Sequence, residues 1–261
     1  MIDSALLDKA KVRQSFAAAA DGYDALAGLQ RRVGETLLAK SPCTASPRPL
    51  LDIGCGTGFL TRHLAARAPA SVALDIALPM LQTARRNCTG LPVAYVCADA
   101  ECLPFRDGSF GQIYSNLAVQ WCEDLNALLA DCRRVLCADG RLALSTFGPR
   151  TLAELKAAWG KVDDFAHVNE FYSVEQIRGF LIAAGWSRFE LEAELVSQPY
   201  PSVLELMREL KGIGAHNVST YRNPRPTSRA SLQSMIAHYE SAMVGGEIVA
   251  SYEIIYLRAM R

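Results

Sequence analysis

The run Leu51-Asp52-Ile53-Gly54-Cys55-Gly56-Thr57-Gly58 constrains this 261-residue chain more than any other feature. A short apolar run breaks into three glycines at alternate positions, and a helix-like segment over 59–67 follows. Glycine is required where the backbone turns sharply or approaches a ligand closely, because a Cβ would block both. The strand-then-helix rhythm then recurs. Strand-like runs at 71–75, 93–98, 112–116 and 141–146 are interleaved with helix-like runs at 79–88 and 124–136. The last of these helices carries Leu125, Leu128, Leu129, Cys132 and Val135 on one face. Asp139-Gly140 supplies the turn into the fifth strand. Such alternation predicts a mostly parallel α/β sheet with helices on both faces, and ligands bound beyond the carboxyl ends of the strands.

Further segments extend this plan. Residues 1–40 read as helical, with Val12, Phe16, Leu26, Leu29, Val33 and Leu37 on apolar faces, and the proline-rich stretch 41–49 reads as a linker. A strand is expected near 188–196, helices over 202–214 and 229–240 around a loop at 223–228, and a final strand over 248–259. The reading is therefore an N-terminal helical segment (1–40) covering the site, a core (50–196 and 246–261), and a helical lid insertion (197–245).

Composition removes several function classes. Lys and Arg (27) balance Asp and Glu (27), so no global field favours nucleic acid or an anionic membrane. No stretch approaches the roughly 18 apolar residues that span a bilayer. Asp3, Asp8, Lys9 and Lys11 interrupt the N-terminus, so no signal peptide is expected there. The eight cysteines include no CxxC pair, and His63, His167, His216 and His238 are scattered, so reduced thiols, no metal site and a cytoplasmic location are expected.

The chemistry of the glycine loop can be narrowed. A glycine loop alone also serves nicotinamide and flavin enzymes. Here Asp52 at the strand end can receive a ligand ammonium but would repel a pyrophosphate, and the spacing is GxGxG rather than the GxGxxG that aims a helix at phosphate. Asp75 closes the second strand, placed for both hydroxyls of a ribose. Ala98-Asp99-Ala100-Glu101 follows the third, where Asp99 can accept from an adenine amino group. Leu78, Met80 and Leu81 offer apolar surface to the ring. Each residue has a plain alternative, a helix cap for an aspartate or core for Met80. Their joint occurrence at successive strand ends resembles the class I S-adenosylmethionine methyltransferases, whose Rossmann-like sheet has a reversed last strand. That resemblance places the cofactor on Asp52, Gly54, Cys55, Gly56, Gly58, Asp75, Ile76, Met80, Asp99, Ala100, Glu101, Asn116 and Leu117.

A narrower resemblance runs nearly end to end. It is carried by Val12-Arg13-Gln14-Ser15-Phe16, Tyr23-Asp24, Leu29-Gln30, Leu103-Pro104-Phe105, Ser115-Asn116-Leu117-Ala118 with Gln120-Trp121, and Ser145-Thr146-Phe147. It continues through Thr151-Leu152, Glu154-Leu155, His167-Val168-Asn169, Phe171, Leu206-Met207-Arg208, Leu210-Lys211, Ile213-Gly214-Ala215, Tyr252-Glu253 and Tyr256. On these residues the chain is similar to the malonyl-acyl carrier protein O-methyltransferases of biotin synthesis. Two departures are Gly111, where the family commonly has an aspartate, and Asp139 before Gly140, where Pro-Gly or Gly-Gly is usual.

The resemblance implies methyl transfer from S-adenosyl-L-methionine to the free carboxylate of a malonyl thioester on acyl carrier protein, with S-adenosyl-L-homocysteine as product. A carboxylate is ionised at neutral pH and needs no general base. The expected catalytic set is Tyr23 to cover the cofactor and orient the carboxylate, Gln120 and Trp121 beyond the fourth strand, His167 to orient a neighbour, and Arg208 or Arg222 to receive the carboxylate. The plain alternatives are a packed helix-face residue for Tyr23 and core for Trp121. Between Val196 and His238, Arg208, Lys211, Arg222, Arg225 and Arg229 face only Glu205 and Glu209, a basic surface suited to docking an acidic carrier and extended by Arg31 and Arg32. The rivals are a small-acid methyltransferase, a quinone C-methyltransferase with His167 as base, and a non-catalytic binding factor.

Overall fold

The strand β1 (Leu50–Ile53) is buried along its whole length, and its neighbours explain why. It pairs in parallel with β2 (Ser71–Asp75) on one side and β4 (Phe110–Asn116) on the other. β3 (Val93–Cys97) lies outside β2, and β5 (Leu136–Phe147) outside β4. β7 (Ile248–Met260) runs antiparallel between β5 and β6 (Arg188–Tyr200). The computed structural model describes residues 7–215, 217 and 227–261, and among them seven strands form one sheet in the order β3-β2-β1-β4-β5-β7-β6. This is the mostly parallel sheet with a reversed last strand that the alternation and its resemblance imply.

Alternate residues of each strand feed two cores. Leu51, Ile53, Ile113, Leu142 and Leu144 pack against α6 (Leu125–Val135) and α8 (Val174–Ala183). Leu50, Tyr114, Ala143, Ile254 and Tyr256 pack against the opposite layer. That layer comprises α3 (Gly28–Lys40), α4 (Phe59–Ala65), α7 (Ala153–Trp159), α9 (Val203–Gly212) and α10 (Arg229–Ala242). On α6 the five expected apolar residues are the five that are buried, each contributing about 1.5–3 kcal/mol if a full aliphatic side chain leaves water. Asp124 caps this helix by accepting the Ala127 N–H at 2.9 Å.

Four features differ from the sequence reading. The N-terminal segment forms three helices, α1 (Lys9–Ala19), α2 (Tyr23–Leu26) and α3. Helices α7 and α8 occupy a stretch left without elements. β5 starts at Leu136, and Asp139-Gly140 lies in an irregularity that throws the register from Phe110↔Leu136 to Gln112↔Arg141, with Asp139 at φ +60°. β6 runs on through Pro199 to Tyr200, which an edge strand tolerates because one of its sides needs no N–H donor. The residues between β6 and β7 carry α9, which packs on α2 and β6, and α10, which packs on α7 and α9. All eight cysteines are free, and Cys97 and Cys102 are exposed.

Candidate active site

The glycine loop leaves β1 through two hydrogen bonds to one acceptor, with the Gly54 and Cys55 N–H groups donating to the Leu74 carbonyl at 2.8 and 3.0 Å. Gly54, Gly56 and Gly58 all have positive φ (+68°, +53° and +86°), after which α4 begins. Their reasons differ. A Cβ on Gly54 would sit 2.2 Å from the Ala118 Cβ, so this glycine lets two loops touch. A Cβ on Gly58 would crowd Ala84 of α5 (Leu78–Asn87), so this one lets two helices touch. Gly56 has nothing within 4 Å of a Cβ, and the space it leaves is a cavity.

That first cavity lies beyond the carboxyl ends of β1, β2 and β4, where Ile53, Leu74 and Asn116 are among its lining residues. Gly54, Gly56, Asp75, Ile76, Met80, Asp99, Ala100, Asn116 and Leu117 line it, nine of the thirteen residues expected at the cofactor. The Asp75 carboxylate accepts the Gly56 N–H at 2.9 Å and the Ala77 N–H at 2.8 Å, fixing the loop against β2, and burial raises its pKa. Lys9 of α1 reaches across to Asp99 at 2.5 Å and also pairs with Glu101.

The other four expected residues do not line the cavity. The Asp52 side chain points to the α4 layer and accepts the Thr61 hydroxyl at 2.5 Å, so it is not placed to hold a ligand ammonium. Cys55 is buried beside Asp75 and Asp52, its thiol pushed well up by burial and then by those charges. Gly58 serves the helix contact just described. Glu101 turns away to Lys9 and to the Asp124 N–H.

Asp52 gives a test of this burial. Desolvation raises its pKa to about 7, opposed by the Thr61 hydrogen bond. It binds its proton more tightly folded than unfolded, so its contribution favours the fold most below an ordinary carboxylate pKa of about 4 and is lost as pH rises to about 7. Asp52→Asn should flatten the fall in melting temperature of the ligand-free protein between those pH values. An unchanged slope would mean that Asp52 is ionised throughout.

A second cavity adjoins the first. Phe16, Tyr23, Leu117 and Trp121 line both and form the wall between them. Phe16 and Trp121 meet edge to face at 5.3 Å. The Tyr23 hydroxyl has no hydrogen-bond partner among the described residues. Burial raises the pKa of this phenol, and the nearby Asp75 and Asp24 charges raise it further. Asp24, next in sequence, accepts the Thr57 hydroxyl at 2.6 Å and so pins α2 to the glycine loop. Leu117 (φ +49°) and Leu152 (φ +56°) are two of the three non-glycine residues with positive φ among the described residues, and both line the second cavity. Such strain costs about 1–3 kcal/mol per residue and concentrates at functional sites.

The other expected catalytic residues separate. Gln120 lines the second cavity, its amide donating to the Leu117 carbonyl at 2.7 Å. His167 lines it too, stacked flat on Trp159 at 3.7 Å, with Nε2 2.8 Å from Asp163. Arg208 does not; it is exposed on α9 and paired with Glu205 one turn away, so it is not placed to receive a carboxylate in the cavity. Arg222 and Arg225 lie outside the described residues, and among those described no arginine or lysine lines this cavity. The residues that carried the narrower resemblance do gather here, including Leu29, Gln30, Phe147, Thr151, Val168 and Phe171. Lys9, Cys122 and Glu209 were missed as lining residues; Lys9 finds its partner Asp99 far away in sequence, and nothing local signals it.

Known proteins resemble the chain in the same sense. A family model described as "Methyltransferase domain" matches residues 51–144. A malonyl-[acyl-carrier protein] O-methyltransferase of Gallionella capsiferriformans is 38% identical over 98% of this chain and 92% of its own length. One from Methylococcus capsulatus is 42% identical over 95% and 92%. The chain belongs to the malonyl-[acyl-carrier protein] O-methyltransferase family. A further relative, the biotin biosynthesis bifunctional protein BioHC of Cellvibrio japonicus, is 41% identical over 96% of this chain and 50% of its own. Among solved structures, the YcgJ protein of Bacillus subtilis (18% identity, 88% and 98% coverage) and a putative methyltransferase of Bacillus halodurans (18%, 87% and 97%) both give a TM-score of 0.65 and share the fold.

Proposed function

We propose that the protein transfers a methyl group from S-adenosyl-L-methionine to the free carboxylate of malonyl-acyl carrier protein, releasing S-adenosyl-L-homocysteine and the malonyl methyl ester from which biotin's pimeloyl chain is built. The supporting observation is the pair of cavities meeting at Phe16, Tyr23, Leu117 and Trp121. The first suits the cofactor by its chemistry. Asp75 and Asp99 bring acceptors for ribose hydroxyls and an adenine amine, Met80 and Ile76 bring apolar surface, and Gly56 leaves the space that a side chain would fill. When bound there, the cofactor supplies an electrophilic methyl, which leaves its sulfur for a carboxylate oxygen.

This chain's residues then bind, aim and exclude water. α1 and α2, pinned by Lys9 and Asp24, close over the first cavity. The Tyr23 hydroxyl is a donor in the dividing wall and orients the carboxylate oxygen, while the Trp121 and Phe16 rings exclude water. No proton is removed, so His167 braces the second cavity through Asp163 and Trp159 rather than acting as a base. Residues 1–40 and the lid insertion act as one cover over a cytoplasmic, membrane-independent enzyme, and the basic residues of lid and α3 dock the acidic carrier.

The test is transfer of labelled methyl to malonyl-carrier, with succinyl- and acetyl-carrier as controls. Malonyl-carrier should be labelled and acetyl-carrier, which lacks the carboxylate, should not. The KM for malonyl-carrier should rise with salt and that for a soluble malonyl thioester should not. Labelling of a quinone or a free small acid in place of the carrier would sink the reading.

A further inference from the structure

The second cavity has a polar wall whose hydrogen-bond direction is fixed from behind. Tyr200 of β6 donates its hydroxyl proton to Glu209 Oε1 of α9 at 2.9 Å. Its oxygen lies 3.0 Å from the Tyr252 hydroxyl of β7. A phenol has one proton, and that of Tyr200 is spent on Glu209, so Tyr252 is the donor in the second bond. Both phenols are buried, and burial raises the pKa of each, which keeps the protons in this order. Tyr252 and Glu209 line the cavity, and each has only oxygen lone pairs left for a ligand. Gln30 lines the same cavity, and its Oε1 is buried without a partner. A buried acceptor left alone is uncommon in a folded protein and implies a missing donor.

A wall of acceptors repels a carboxylate and attracts N–H groups. The arm that carries an acyl group on a carrier protein is a chain with two secondary amides, each holding one N–H. We propose that Tyr252, with Gln30 in the same cavity lining, accepts hydrogen bonds from the amide N–H groups of the thioester arm. The acceptor thus lies with its arm along Tyr252 and its carboxylate at the opposite wall, against Tyr23 and Trp121. Glu209 is a positioning residue that acts through Tyr200. This rests on the function proposed above and adds to it the orientation of the substrate.

A site that hydrogen-bonds a substrate N–H discriminates against the analogue lacking it, because its own acceptor is then left unpaired. The probes are S-malonyl-N-acetylcysteamine, with one amide N–H, and its isostere in which an ester oxygen replaces that N–H. The wild type should prefer the amide by about three- to tenfold in kcat/KM, the size of one net hydrogen bond. Tyr252→Phe should reduce the preference to about one. Glu209→Gln, which leaves the ring in place but releases the proton order, should also shrink the preference and gives the answer should Tyr252→Phe not fold. An equal preference in wild type and both variants, or no preference in the wild type, overturns the inference alone. A wild type that methylates neither probe nor malonyl-carrier overturns the function itself.

Discussion

Gly54→Ala is expected to weaken binding of S-adenosyl-L-homocysteine by at least about 100-fold, a loss of roughly 2.7 kcal/mol. Two costs combine. The residue has φ +68°, where an alanine is strained, and its Cβ would lie 2.2 Å from the Ala118 Cβ. Carbon atoms rest at about 3.5–4.0 Å, so one of the two loops must retreat by more than an ångström. Neither can do so alone. The glycine loop is held to Leu74 by two backbone hydrogen bonds, and the loop of Ala118 carries Leu117 and Trp121, half of the wall between the cavities. Gly56→Ala is the informative control, because its positive φ is similar but its Cβ would meet nothing within 4 Å. The first variant should lose both thermal stability and ligand affinity, and the second chiefly affinity, read by calorimetry and thermal unfolding. Gly54→Ala binding within a few-fold of wild type would mean that the contact with Ala118 is easily relaxed.

The difference between these two glycines also shows what the sequence can reveal. That the backbone turns sharply at both followed from a strand breaking into alternate glycines; that Gly54 admits the loop after β4 while Gly56 opens onto a cavity depended on the packed structure. Strands β1, β2 and β3 were legible because they are short apolar runs. Helix α8 was legible in principle, since Ser173 and Gln176 form a capping box of the S-x-x-Q type. Helix α7 was not, because it starts from Leu152 in the left-handed region with no capping side chain. At the candidate site, residues that continue a strand end, such as Asp75, Ile76, Asp99 and Asn116, were named from order alone, and they line the first cavity. Asp52 was misplaced although the clue was present: strand alternation puts Leu51 and Ile53 on one face and Asp52 on the other, under Thr61. The Glu205–Arg208 spacing of three residues likewise signals a pair on one helix face. No spacing rule reaches Lys9–Asp99 or Glu209–Tyr200–Tyr252, which exist only after the cover has packed on the sheet.

Tyr23→Phe should lower kcat/KM for malonyl-carrier by about 10- to 100-fold, the range set by losing one hydrogen bond of roughly 1.5–3 kcal/mol to a charged group. The substitution keeps the ring that lines both cavities and removes only a hydroxyl with no other partner among the described residues. Binding of S-adenosyl-L-homocysteine should therefore change little, and the loss should fall on the transfer step. The acceptor oxygen is already a nucleophile, so the protein's contribution is to hold it in line with the methyl, and positioning of this kind can supply about 7–11 kcal/mol of the barrier. Because the Tyr23 phenol is raised in pKa by burial and by Asp75, it remains a donor in alkaline solution, and the effect of removing it should not depend on pH between neutrality and mildly alkaline conditions. His167→Asn is the counterpart. A base would be indispensable, whereas a ring that braces the cavity from Trp159 and Asp163 should cost less than the Tyr23 hydroxyl. If His167→Asn abolishes transfer while Tyr23→Phe stays within tenfold of wild type, the two roles assigned here are reversed and the acceptor is a group that must lose a proton.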